Sequence, residues 1–126
     1  MTIEQATKVF LLTKVNLTNI VGTRIEYGEL PQGPVYPYLT FFRVTNTSQH
    51  DIDVGAVIFQ FDSWATTYIG AVELAIEIKK ALQREKSVMS GITVIQGVYR
   101  NENYTFEQDT LLHHIATDME IFYKEI

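Results

Sequence analysis

The chain has 126 residues, no cysteine, 46% apolar and 20% charged residues, and a formal net charge of -5. That length fits one domain with a core of its own, and the composition excludes disulfides, thiolate metal sites and a tight nucleic-acid binder, which needs a basic footprint. No segment approaches the ~20 apolar residues of a membrane-spanning helix, and the amino-terminal run, broken by Glu4 and Lys8, does not read as a signal peptide.

Thr2 and Gln5 stand at capping-box spacing, and Ile3, Ala6, Val9, Phe10 and Thr13 follow at helical intervals. They predict a first helix over about residues 2–14, broken by Asn16, Thr18 and Asn19 before Gly22 resets the chain. Arg24 to Tyr27 suits a short strand. The surrounding stretch, residues 22–40, holds all three prolines and three of the seven glycines. It cannot be a helix interior, because proline lacks the amide donor and clashes with the preceding turn. With Tyr27, Tyr36 and Tyr38 it reads as an ordered loop leading into the first long strand. From Tyr36 onward the chain is rich in β-branched and aromatic residues, and Pro37 belongs at a strand start or on an edge. The polar run 46–51 is a turn signal. A second strand then sets Val57, Phe59 and Phe61 on one face and Ile58, Gln60 and Asp62 on the other, so the two strands form an antiparallel hairpin.

Ser63, Thr66 and Thr67 all offer cap oxygens for a helix over about residues 67–84. Its 100° steps gather Ala71, Leu74, Ala75, Ile78, Ala81 and Leu82 on one face, opposite Glu73, Glu77, Lys80 and Arg84. A second apolar strip, Ile69, Val72 and Ile76, runs beside Lys79 and Gln83. Contact with the first helix would explain it; so would a subunit interface, since contiguous exposed apolar strips mark association. Beyond Gly91, Ile92 to Tyr99 alternates, with Ile92, Val94 and Val98 facing one way. R-N-E-N, residues 100–103, reads as the next turn, and Tyr104 and Phe106 as the start of a return strand. A last strand from about Leu111 to Tyr123 places His113, Ile115, Thr117, Met119, Ile121 and Tyr123 on one face. The expectation is one α+β domain over residues 1–126: a single sheet of about four to five mostly antiparallel strands with two helices packed against it.

Catalytic and nucleotide motifs are missing. The glycines lie too far apart for a phosphate loop, and no H-E-x-x-H occurs. His113 and His114 are adjacent, so in a strand they point to opposite faces and cannot chelate one metal; a core histidine beside an exposed one is the simpler reading. His50, Asp51 and Asp53 form the only compact set with metal-ligand chemistry, and two carboxylates at a hairpin turn ordinarily make a solvated turn. Tyr36, Tyr38, Phe41, Phe42 and Trp64 have the make-up of a strand core rather than of a stacking platform. No serine sits in a nucleophile elbow. The chain therefore reads as a non-enzyme without cofactor or metal; the alternative is a small metal- or ligand-binding module built on residues 50–53.

The charges are unevenly placed. From Val44 to Ile78 they are Asp51, Asp53, Asp62, Glu73 and Glu77, with no Lys or Arg, and from Asn101 to Tyr123 they are Glu102, Glu107, Asp109, Asp118 and Glu120.

Arg24-Ile25, Gly28, Pro31-Gln32-Gly33 and Tyr36-Pro37-Tyr38, followed by the strand 55–64 and the helix 71–82, resemble the tail-completion proteins of long-tailed bacteriophages. These are also called tail-terminator or head-to-tail joining proteins. The resemblance spans the chain to about Leu82 and is looser beyond, with nothing matched over residues 99–109. It implies a structural protein of the virion, at the tail–neck junction, assembled in the bacterial cytoplasm. It implies a homo-oligomeric ring, a hexamer, that terminates the tail tube and meets the connector or neck proteins, with DNA passing through unbound; another neck or tube protein of the same particle is the near alternative. On this reading the candidate subunit interface is Ile69, Val72, Ile76 and Gln83 on one side and Pro31, Pro34 and Tyr36 on the other. Asp51, Asp53, Glu102, Glu107 and Asp109 are the candidate acidic lining of the channel.

Overall fold

The computed structural model describes residues 2–49 and 54–125. Three helices lie on one face of a curled six-stranded sheet. The elements in chain order are α1 (Ile3–Leu11), α2 (Val15–Val21), β1 (Ile25–Tyr27), β2 (Tyr38–Gln49), β3 (Val54–Ala65), α3 (Tyr68–Leu82), β4 (Ser87–Met89), β5 (Ile92–Glu107) and β6 (Leu112–Glu125). The spatial strand order is β1-β2-β3-β6-β5-β4. All pairings are antiparallel except β1 with β2, which is parallel. The sheet is therefore mixed, and the expectation of four to five mostly antiparallel strands with two helices is corrected to six strands and three helices. α1 touches both end strands, β1 and β4, so the sheet curls round the helices.

The capping box forms as the sequence predicts: the Thr2 hydroxyl accepts from the Gln5 amide at 3.1 Å, and the Gln5 side chain accepts from the Thr2 amide at 2.9 Å. The third helix is α2, where the sequence predicts a break. Asn16, Thr18 and Asn19 have weak helix propensity, but burial of Leu17 and Val21 in the main core overrides it. β4 is also unforeseen. It is three residues long and returns into β5 through Ser90 and Gly91, both at positive φ, the backbone that a two-residue hairpin turn requires.

Beyond Tyr99 the predicted turn at 100–103 is absent. β5 continues to Glu107, with register shifts after Val94 and after Tyr99, and the chain turns at 108–111. Pairing along β6 holds Asn101 and Asn103 in the ladder despite their poor strand propensity. The first shift also moves Val98 out of the face of Ile92 and Val94: Gly97, opposite Ile121, takes the buried place.

The core lies between the helices and the facing side of the sheet. It is built on Phe41, Phe59, Phe61, Met119 and Ile121, with Leu74, Ile78 and Leu82 of α3 seated on them. The predicted buried face of α3 is buried in full: Ala71, Leu74, Ala75, Ile78, Ala81 and Leu82. Thr67 is the residue that caps it, its hydroxyl accepting from the Gly70 amide at 3.0 Å. At its other end α3 presses its backbone onto β5, where a Cβ on Gly97 would stand 1.9 Å from the Leu82 carbonyl oxygen. Gly97→Ala must push α3 off the sheet. It is expected to cost about 2–3 kcal/mol, at the upper end of overpacking penalties, measured as a lowered midpoint in urea unfolding with the slope unchanged.

Candidate functional site

The side of the sheet away from the helices carries a connected polar and aromatic cluster. β2 and β3 pair so that Thr40 faces Asp62 and Phe42 faces Gln60, and β3 pairs with β6 so that Trp64 faces His114. All six side chains share one face, by the two-residue alternation of strands. The indole nitrogen of Trp64 donates to the Thr40 hydroxyl at 3.0 Å. The His114 ring stacks on the indole, with centroids 4.1 Å apart and planes within 4°. Its Nε2 lies 2.7 Å from Oδ1 of Asp62, and the same oxygen accepts from the Gln60 side-chain Nε2 at 2.8 Å. Asp62 is buried, only 5% exposed. After β1 the chain runs beside this cluster, and Gly28, Glu29 and Leu30 line, with Thr40, Phe42, Asp62 and Trp64, an open cavity of about 370 Å³. That segment is tied at both ends. The Gly28 amide donates to the Phe41 carbonyl at 2.8 Å, and the Arg24 guanidinium donates to the Pro37 carbonyl at 2.9 Å and to the Ile20 carbonyl at 3.3 Å. The Tyr36–Pro37 peptide is cis.

The two candidate sides of the interface lie apart. Ile69 and Ile76 are 58% and 45% exposed, whereas Val72 is half-buried against the small cluster of Ala65, Ala71, Ala75 and Ile115. Contact with the first helix therefore does not cover Ile69 and Ile76. Gln83 is half-buried and accepts from the Tyr99 amide at 2.7 Å, tying α3 to β5. Lys79 lies over the Tyr99 ring at 4.2 Å. At the far end of the sheet Pro31 is exposed and Pro34 and Tyr36 are half-buried.

Of the five acidic candidates, Asp51 and Asp53 lie outside the described residues, as does His50. Glu102 accepts from the Thr117 hydroxyl at 3.2 Å. Glu107 and Asp109 lie at the β5–β6 turn, where the Thr110 hydroxyl donates to Glu107 at 3.1 Å. His113 and His114 do point to opposite faces, but neither is a plain core or surface group. Both are half-buried, and Nδ1 of His113 lies 2.8 Å from the Tyr104 hydroxyl, among Tyr68, Tyr104 and Phe106. Phe41 is a core residue, as predicted; Phe42 and Trp64 instead line the cavity. Among the described residues no group of three or more His, Asp or Glu side chains is placed to hold a metal ion.

The Asp62–His114–Trp64 cluster escapes sequence reading because it spans two strands whose order is not sequential. A signal is present nonetheless: Gln60, Asp62 and Trp64 stand at i, i+2 and i+4 in a strand otherwise built for a core. Burial, followed by the field of Asp62, raises the Asp118 carboxyl above its ordinary range. A carboxyl raised in the folded state favours that state while protonated and opposes it once ionised. Asp118→Asn is therefore expected to raise the melting temperature at neutral pH. The gain should shrink as the pH falls through the raised carboxyl range, as read in thermal melts of both proteins across pH.

No curated protein sequence matches the chain. Among solved structures, a chain from the virion of a native gene transfer agent particle matches with a TM-score of 0.78 and 16% identity, covering 96% of this chain and 93% of its own. A second solved chain matches with a TM-score of 0.66 and 10% identity, over 100% of this chain and 99% of its own. At these identities the two likenesses speak to the fold. The family model described as Tail completion protein gp17 matches residues 9–124, and the chain belongs to that family of phage tail proteins.

Proposed function

We propose that the protein is a non-enzymatic structural component that forms a ring, a hexamer, which terminates the tail tube and joins the tail to the head. The family match over residues 9–124 carries this reading. A ring needs a heterologous interface, in which one patch of a subunit meets a different patch of the next. Exposed Ile69 and Ile76, with Val72 and Gln83 beside them, supply one patch. The loop with Pro31, Pro34 and Tyr36 supplies the other, its ring-locked prolines lowering the cost of ordering it. The partners on this reading are further copies of the chain, the tail tube protein at one face and the neck or connector proteins at the other, at the tail–neck junction of a particle assembled in the host cytoplasm. Glu102, Glu107 and Asp109, with Asp51 and Asp53, give the channel an acidic lining that repels DNA phosphates and lets the duplex pass without sticking.

Ile76 tests the interface without touching the core. Ile76→Asp is expected to leave the melting temperature within a few degrees of the wild type, as surface substitutions within about 0.5 kcal/mol do. It should weaken self-association, or capping of tail-tube ends, at least tenfold in sedimentation or native mass spectrometry over a concentration range. An Ile76→Asp protein that unfolds as the isolated subunit would return the strip to the core.

A further inference from the structure

The cavity beside residues 28–30 has the chemistry of a socket for a cation. Oδ1 of Asp62 takes the bonds of both Gln60 and His114, and among the described residues Oδ2 has no hydrogen-bond partner although the side chain lines the cavity. Oδ2 is not sealed among the buried atoms that lack a partner, so it is open to a group that enters the cavity. The walls are Trp64, Phe42 and Leu30, with Glu29 at the rim. Indole and phenyl faces attract a cation, and a planar guanidinium can stack on them while its N–H groups meet the carboxylate.

The remaining arginines narrow the occupant. Arg24 is held by carbonyls, Arg43 pairs with Glu4, and Arg100 pairs with Glu120. Arg84 is exposed, and among the described residues its guanidinium makes no hydrogen bond or ion pair. It stands on the turn after α3 at φ 60°, with its amide fixed on the Gly97 carbonyl at 2.8 Å. That turn lies beside β5, toward the opposite end of the sheet from β1, β2 and the cavity.

We propose that the cavity is a guanidinium socket filled on assembly by Arg84 of a second copy, an inference that rests on the ring reading above. An arginine at one end of the sheet and an aromatic-walled carboxylate at the other are the two unlike halves that a head-to-tail contact requires. Arg84 follows the helix that carries the exposed strip, and the cavity adjoins the start of the proline loop, so the two halves of the socket adjoin the two surfaces assigned to the ring contact.

Trp64 is the only tryptophan and the chain has no cysteine, so both readouts are clean. Titrating the full chain with N-acetylarginine amide should give a saturable change in tryptophan emission. N-acetylcitrulline amide, of the same shape but uncharged, should give none, and Asp62→Asn should weaken the response at least tenfold. Equal responses to the two probes on the wild type, or a response that never saturates, overturn the socket even if Asp62→Asn fails to fold. On assembly, Glu29→Cys combined with Lys86→Cys, which keeps Arg84, should cross-link between copies, and Arg84→Gln should assemble at least tenfold more weakly. An assembled protein with no cross-link, and with Arg84→Gln assembling as the wild type does, overturns the occupant and leaves the ring standing. A wild type that does not assemble even on tail-tube ends overturns the ring and this occupant together.

Discussion

The seating of α3 in the trough of the curled sheet is the contact on which the rest of the molecule depends. Leu74, Ile78 and Leu82 sink between Phe59, Phe61, Met119 and Ile121, and the last turn of the helix meets β5 at Gly97, where no side chain intervenes. That close approach sets the Arg84 amide on the Gly97 carbonyl and the Gln83 side chain on the Tyr99 amide. With the inner face of α3 committed to the core and Val72 packed on the small cluster around Ile115, Ile69 and Ile76 are left facing solvent. Ile69 and Ile76 are exposed because the packing that buries Leu74 and Ile78 rotates them outward.

The two faces of the sheet are built on different principles. Toward the helices, β3 contributes Val57, Phe59 and Phe61 to a dry core stabilised by apolar burial. Away from them, the same strand contributes Gln60, Asp62 and Trp64 to a network in which each polar group is positioned by another. A network of that kind specifies geometry more than it adds stability, because each buried polar group must recover the hydration it lost. The geometry of the helix-free face is therefore set by bonds within the chain.

What could be read from the sequence follows the range of the interactions. The buried face of α3, the capping box at Thr2, the β2–β3 hairpin and the inward side of β6 all rest on local periodicity, and the sequence states them residue by residue. α2 formed against its own propensity because Leu17 and Val21 found a core to enter, a fact that lies with residues far along the chain. The polar run at 100–103 reads as a turn in isolation and is strand only because β6 runs alongside it. The shift after Val94 exchanges the two faces of β5, and no pattern in Ile92–Tyr99 announces it. The proline loop was legible as ordered, but its anchors, Arg24 on Pro37 and Gly28 on Phe41, depend on the parallel pairing of β1 with β2. The cluster of Asp62, Trp64 and His114 needed the order β3-β6, which places residues about fifty positions apart side by side.

On the ring reading, the unlike surfaces of α3 and of the proline loop meet head to tail. Mixing two variants tests this most directly, one with the α3 side blocked by Ile76→Asp and one with the loop side blocked by Leu30→Lys. Each variant alone should fail to form a ring. A heterologous interface predicts that an equimolar mixture yields a dimer in native mass spectrometry, with one copy of each variant and one intact contact, and nothing larger. Rings formed by either variant alone, or a mixture that stays monomeric while the wild type assembles, would contradict it.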